Sequence, residues 1–268
     1  MKPRPFDYAR PDTVDEALAL LAEYGDDARV LAGGQSLMAM MNLRLADPAV
    51  LIDIARIKEL DGIRDLGDTI EVGAAVTQNT LLNWPELKAK LPLLAVALPN
   101  VGHFQTRNKG TVCGSIAHAD PSSEIPLSLA LLEGEVVLRR KGGERVLKAA
   151  DFQVDMLTTA READELIVAV RFPVHGKGAA FREVARRHGD FAMVAVAALV
   201  DSRGGVRLGV GGVASTPVVR LINGTGDVDK LAGELEDYED LHASAELRRD
   251  LLRNLGPLVI AEAKKCAA

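Results

Sequence analysis

Ala28-Arg29-Val30-Leu31-Ala32-Gly33-Gly34-Gln35-Ser36 reads as a short buried strand, Ala28 to Ala32, that runs into two glycines, a carboxamide and a hydroxyl. Glycines let the backbone adopt dihedrals closed to other residues and let a ligand approach the chain. Successive N–H groups in such a turn, with the Ser36 hydroxyl beside them, form a nest for an anion. The dinucleotide fingerprint of a doubly wound fold is absent, because no third glycine stands at the required spacing. An ordinary strand-to-helix turn has the same composition, so this stretch alone leaves both readings open.

Upstream, Thr13-Val14-Asp15-Glu16 has the spacing of a capping box, followed by Ala17, Leu18, Leu21 and Ala22 on one helical face and Gly25 as a stop. Downstream, Val50 to Ile54 and Ile70 to Ala74 are strands, and Thr80 to Leu98 is helical with breaks at Pro85 and Pro92. A glycine-bearing loop runs from Gly110 to Pro121, then a helix from Ile125 to Leu132, with strands at Val136 to Leu138 and Ile167 to Phe172. Pro173 to Gly178 is turn-rich and marks a boundary. Beyond it, Ala180 to Arg186, Phe191 to Val200 and Val206 to Val213 are β-rich, with Arg203-Gly204-Gly205 as a hairpin turn, which predicts an antiparallel sheet. Ser244 caps a last helix carrying Leu247, Leu251, Leu252 and Leu255, which Gly256-Pro257 kinks or splits. The class is α+β, with residues 1–174 as one portion and residues 175–268 as a C-terminal sheet-plus-helix portion.

The chain has 268 residues, more than one ordinary domain, with 48% hydrophobic and 26% charged residues and only 4% aromatics. Its cores must therefore be built from Ala, Val, Leu and Ile. A net charge of −6 argues against non-specific nucleic-acid binding, which needs clustered cations. The N-terminal residues hold Pro3, Pro5 and Pro11 and no apolar stretch, so no signal peptide is expected. Phe191 to Val200, the longest nearly apolar segment, is too short for a membrane span, and a cytoplasmic protein is expected. Cys113 and Cys266 are the only cysteines. They cannot supply the four thiolates of an iron–sulfur cluster, a disulfide framework or a zinc site, so metal chemistry belongs to another chain.

In Gly110 to Pro121, small residues alternate with hydroxyls. Thr111, Ser115 and backbone amides are suited to a diphosphate, while Asp120 or Glu124 can accept from ribose or ribityl hydroxyls. Helix capping would equally use Asp120 and Glu124, where a first-turn carboxylate offsets the macrodipole. His103 and His118 are read as structural hydrogen-bonding groups, Asp190 as a residue ordering an interface or reaching an adenine, Trp84 as core, and His175 as an exposed loop residue.

Four separated motifs occur in order: the Ala32 to Ser36 turn, the lead-in Gln105, Arg107, Asn108, Gly110 and Thr111, the run His118-Ala119-Asp120-Pro121, and Gly189-Asp190-Phe191-Ala192. Across essentially the whole chain this arrangement resembles the medium, flavin-carrying subunit of the carbon monoxide dehydrogenase and xanthine dehydrogenase family of molybdenum hydroxylases. The resemblance implies a vanillyl-alcohol-oxidase-like FAD-binding fold over residues 1–174, in subdomains of about 1–55 and 56–174, followed by a C-terminal flavoprotein domain over 175–268. It implies that Ala32, Gly33, Gly34, Gln35 and Ser36 face one side of the FAD diphosphate and that Thr111, Gly114 and Ser115 face the other. Ala117, Asp120 and Glu124 are implied near the ribityl or ribose hydroxyls, and Val101 and Gly102 near the isoalloxazine ring. Cys113 departs from the pattern, since many relatives carry a second glycine there; a positive φ at this position would strain a cysteine.

The resemblance further implies a large subunit with a molybdenum–pterin cofactor, a small subunit with two 2Fe-2S clusters, and a dimer of heterotrimers. This chain would relay electrons through FAD to a quinone, a cytochrome, dioxygen or NAD, and has no catalytic residue of its own and no resident metal. A stand-alone flavin oxidoreductase of the same fold, which needs a substrate-facing acid or base, and a non-catalytic interaction subunit are the competing readings. Gly33→Val or Gly114→Val is expected to empty the flavin site by closing the approach to the diphosphate.

Overall fold

The computed structural model describes residues 2–224 and 226–267. Strands β1 (Asp7–Ala9), β2 (Ala28–Leu31) and β3 (Val50–Asp53) form a parallel sheet in the order β1-β3-β2. Helix α1 (Val14–Tyr24) links β1 to β2, and α2 (Leu37–Asn42) links β2 to β3. The capping box closes as expected, with Glu16 N–H donating to Thr13 Oγ1 at 3.2 Å, an arrangement worth about 1 kcal/mol. The buried stripe of α1 is Val14, Ala17, Leu18 and Leu21, whose i, i+3, i+4, i+7 spacing completes the face and turns Ala22 to solvent.

An antiparallel sheet follows. It contains β4 (Ile63–Asp65), β5 (Thr69–Gly73), β6 (Glu135–Arg140) and β7 (Gly143–Lys148); a ribbon of β8 (Gln153–Asp155) and β9 (Thr158–Thr159) precedes its last strand, β10 (Leu166–Pro173). Its order is β4-β5-β10-β6-β7. The helical stretch from Thr80 resolves into three short helices, α3 (Gln78–Leu82), α4 (Leu87–Lys90) and α5 (Pro92–Ala97). Pro92 opens α5, where a missing N–H removes no helical bond. Trp84, between α3 and α4, is partly buried against the core. Then come α6 (Phe104–Arg107), α7 (Val112–His118), α8 (Glu124–Leu131) and α9 (Ala149–Phe152).

The third sheet is antiparallel, β11 (Ala179–Val184), β12 (Val194–Val200), β13 (Val206–Gly211) and β14 (Val218–Ile222), in sequence order. Its β12–β13 hairpin turns at Gly204, whose φ is +83°. Strand β12 begins at Val194, leaving Phe191 exposed ahead of it. Helices α10 (Gly226–Glu234) and α11 (Ala245–Ala267) complete the chain. Alternation along β12 decides the packing. Ala195, Ala197 and Leu199 join the main core with α5 and α8, whereas Val194, Val196, Ala198 and Val200 pack with α10 and α11.

Helix α11 is not split at Gly256-Pro257: it runs through Pro257 as one helix, buries Arg248, Leu252, Gly256, Val259, Ile260 and Ala263, and leaves Leu247 exposed. Gly256 is there for closeness, since a Cβ would lie 2.7 Å from Val228 Cγ1 of α10. His175 is half-buried rather than exposed, and burial lowers its pKa.

Candidate functional site

The turn Ala32 to Ser36 lies just past the carboxyl end of β2 and leads into α2. Gly34 takes φ +68°, which glycine adopts without strain. Ser36 precedes α2 but makes no side-chain capping bond, so its hydroxyl is not spent on the helix. Gln35 Nε2 donates to the Gly33 carbonyl at 3.1 Å, stiffening the turn.

The stretch Gly110 to Pro121 is not a loop, as the sequence reading had it. Thr111 is the N-cap of α7, its Oγ1 accepting from Gly114 N–H at 2.9 Å, and Ala119 ends the helix in the left-handed region at φ +54°. Gly, Ser and Thr are poor helix formers, but the cap and burial of Val112, Cys113 and Ile116 override propensity. The start of α7 is tied to α3 by Gln78 N–H donating to Gly110 O at 2.8 Å and Val112 N–H to Val76 O at 3.1 Å. Cys113 is helical and absent from the positive-φ residues, so the expected strain does not arise. Its thiol is buried and donates to Val72 O at 3.5 Å, and burial pushes its pKa up.

Gly33 shows how the two turns meet. A Cβ there would lie 2.1 Å from Lys109 O and 2.7 Å from the Gly110 Cα, so the backbones of the two segments are in contact. Beside this seam opens a cavity of about 670 Å³, within the ~300–1,000 Å³ typical of small-molecule sites. Ala32, Gly33, Gly34, Gln35, Ser36, Val101, Gly102, Thr111, Gly114, Ser115, Ala117 and Glu124 all line it. Asp120 does not: its Oδ1 accepts from Ser122 N–H at 2.8 Å in an Asx turn ahead of α8, whose N-cap is Ser123, so it is not a helix cap either. Arg107, from the lead-in motif, donates to Val101 O at 2.8 Å and Gly102 O at 2.9 Å and so holds that turn in place.

Glu124 is 4% exposed, and burial raises its pKa to about 8, with Glu183 and Asp120 adding to the rise and Arg107 opposing it. His118 lines the cavity, its pKa lowered by burial against a small opposing pull from Asp120. His103 is not in the lining; its ring meets His188 edge-on at 6.3 Å, beneath Gly189. Asp190 is in the lining and accepts from Arg187 at 3.2 Å.

Several lining residues escaped sequence reading. Gln78 is 5% exposed, and its Oε1 is buried without a hydrogen-bond partner. Arg29 and Arg161 also reach the cavity, spending their Nη1 groups on backbone carbonyls; burial and then proximity to Arg29 lower the pKa of Arg161. Leu157, from the β8–β9 turn, completes one wall at φ +55°. None belongs to a motif, and only the folding of distant segments brings them together.

Residues 4–175 match the family model described as the FAD binding domain in molybdopterin dehydrogenase. The chain is 38% identical to the carbon monoxide dehydrogenase medium chain of Hydrogenophaga pseudoflava, covering 92% of this chain and 86% of that one. It is 36% identical to subunit alpha of the 6-hydroxypseudooxynicotine dehydrogenase complex of Paenarthrobacter nicotinovorans, covering 98% and 96%. Among solved structures, a chain of the reconstituted CO dehydrogenase from Oligotropha carboxidovorans superposes with a TM-score of 0.93 at 32% identity, covering 100% of both chains. With a family match over more than half its length and relatives of this identity along nearly all of it, the chain belongs to the FAD-binding medium subunits of the molybdenum hydroxylase family.

Proposed function

We propose that FAD lies in the cavity with its diphosphate at the seam between Ala32 to Ser36 and Thr111 to Ser115. The observation that carries this reading is the contact of Gly33 with Lys109 and Gly110, which brings two distant glycine turns to one cavity. The residues present fit the group. Gly34 at φ +68° offers backbone N–H groups, Ser36 has a hydroxyl not used for capping, and Gln78 has a buried oxygen without a partner. Glu124 faces the ribityl or ribose hydroxyls, and Val101 and Gly102, held by Arg107, flank the isoalloxazine ring. Asp120 orders the turn before α8 instead of touching the ligand.

The bound flavin supplies the redox chemistry, while the protein binds and orients it and tunes its potential. The chain takes electrons from 2Fe-2S clusters on a small partner subunit and passes them to an external acceptor. A large partner with a molybdenum–pterin cofactor hydroxylates the substrate, and the assembly is a dimer of heterotrimers. Support for partners comes from relatives that are named medium chains or subunits of dehydrogenase complexes. The division at residue 174 belongs to the same proposal, as do the subdomains of 1–55 and 56–174. No helix among the described residues is long and apolar enough to cross a membrane.

The visible spectrum of the purified chain, with mass identification of what acid releases, tests the reading. A yellow protein releasing about one FAD per chain is expected, as for a preformed cofactor site. A colourless chain that also fails to take up added FAD would refute it. Co-purification with an iron–sulfur and a molybdenum subunit separates an assembled subunit from a stand-alone flavoenzyme.

A further inference from the structure

Helix α7 gives the cavity a direction. Thr111 and Gly114 stand at its start, beside the seam. Gly110 N–H donates to Thr106 O at 2.7 Å, and a Cβ on Gly102 would lie 3.1 Å from the Thr106 side chain, so this end adjoins the Val101–Gly102 turn. A helix of seven residues rises about 10 Å, which carries the wall that far from the seam. At the other end, Ala119 O accepts from Leu157 N–H at 3.0 Å and from Gln153 Nε2 at 2.9 Å, fastening the β8–β9 ribbon there. Thr158, Thr159, Arg161 and Ala163, on β9 and the chain that leaves it, line the cavity.

Arg161 is half-buried, and its guanidinium is fixed by its own loop. Nη1 donates to the carbonyls of Glu162 at 2.8 Å, Ala163 at 3.3 Å and Glu165 at 2.7 Å. The charged groups near it are Arg29, Glu165, Asp26 and Asp164. The Glu165 carboxylate is taken up by Arg145, whose Nε and Nη2 donate to it at 2.6 and 2.8 Å, and by Glu162 N–H at 2.8 Å. Asp26 and Asp164 form no ion pair among the described residues, and Arg29, the other arginine of the lining, is exposed. Arg161 therefore keeps its charge without a carboxylate partner, and its Nε and Nη2 make no hydrogen bond among the described residues. A planar cation held in one orientation with a free face suits a flat π system, which attracts it and costs it little rotamer freedom.

We propose that Arg161 carries the adenine of FAD on the face of its guanidinium and so selects FAD over FMN, whose chain stops at the first phosphate. The inference rests on the FAD reading above, with the diphosphate at the seam and the isoalloxazine at the Val101–Gly102 turn. Those two groups occupy the start of α7, so the adenosine runs along the helix to its other end, where Arg161 stands. The diphosphate stays about a helix length away, against backbone N–H groups, which leaves the base as the group Arg161 meets.

Calorimetric titration of FAD, FMN and ADP into the whole flavin-free chain tests this, with circular dichroism checking each fold. Arg161→Ala should weaken FAD and ADP about tenfold, within the range for a base stacked on a side chain, and leave FMN as in wild type. Arg161→Lys keeps the charge but loses the plane, so it should lose nearly as much. The ratio of wild type to variant should be the same at low and high salt, because stacking is not screened as a phosphate contact is. Equal weakening of FAD and FMN would reduce Arg161 to an anchor of its loop and overturn the proposal. Rescue by lysine, or a ratio that collapses in salt, would make the contact one with phosphate and overturn it too, as would unchanged FAD affinity in Arg161→Ala. A wild-type chain that takes up no FAD would sink the FAD reading instead. ADP then decides the role of Arg161 by itself: binding no tighter to wild type than to Arg161→Ala overturns it.

Discussion

A side chain at Gly33 would begin 2.1 Å from a carbonyl oxygen, and that neighbour is backbone, which cannot swing aside. Gly33→Val therefore acts differently from the simple blockage of a ligand path: it forces the two turns apart, at an overpacking cost of about 1–3 kcal/mol or more. Bound flavin per chain, read from the visible absorbance of the folded variant, is expected to fall to a small fraction of wild type; a full complement would contradict the proposed diphosphate site. Gly114 works through a different neighbour, since a Cβ there meets Thr111 Oγ1 at 2.7 Å and disturbs the cap. The cysteines give a second check. Cys113 is buried and Cys266 exposed, so a thiol-reactive disulfide should label one site in the native chain and both after unfolding. At this scale the glycine turns were legible because glycine chemistry is local. Gln78 and Arg161 were not, because nothing near them in the chain distinguishes them from surface residues.

Helix α7 carries the sharpest lesson about elements. Its composition, Val-Cys-Gly-Ser-Ile-Ala-His, reads as a loop because Gly and Ser disfavour helix, and the decisive features are the Thr111 cap and three buried apolar side chains. Thr111→Ala removes the acceptor of Gly114 N–H and is expected to cost about 1 kcal/mol. For a chain of this size that is a fall in Tm of about 2–4 °C in thermal unfolding. The same change should weaken flavin binding, measured by titrating FAD into the flavin-free chain, because α7 positions Gly114 and Ser115 at the cavity. Helix α1 was readable in full except for Ala22, since its capping box and stripe are properties of adjacent residues. The strands β10 and β12 were likewise close to expectation, their Val- and Ile-bearing runs being strong local signals. Short β1, β4, β8 and β9 lack such runs and exist because neighbouring strands offer them partners.

For the whole molecule, the raised carboxyls set a pH dependence. Between the ordinary value of 4.5 and the folded values of about 7 and about 8, the native chain binds more protons at Glu183 and Glu124 than the unfolded chain does. Stability from these groups is therefore lost as pH rises through that window. His118 and His175, lowered from 6.5, act in the opposite sense, but only below that value. From about pH 7 to 8.5 the carboxyls dominate, so the Tm of the flavin-free chain should decline, and the Glu124→Gln, Glu183→Gln variant should flatten the decline. Which face of the third sheet meets which helices was not legible in the sequence, because β12 is apolar on both sides and its alternation is hidden. That two-sided strand has a practical reach. With Ala195, Ala197 and Leu199 in the main core and β12 against α8, the loop ahead of β12 brings Gly189, Asp190 and Phe191 to the wall of the room beside the glycine seam. A clone stopped at residue 175, where the family match ends, would leave that room open on one side, and its product would collect in inclusion bodies instead of reporting on flavin.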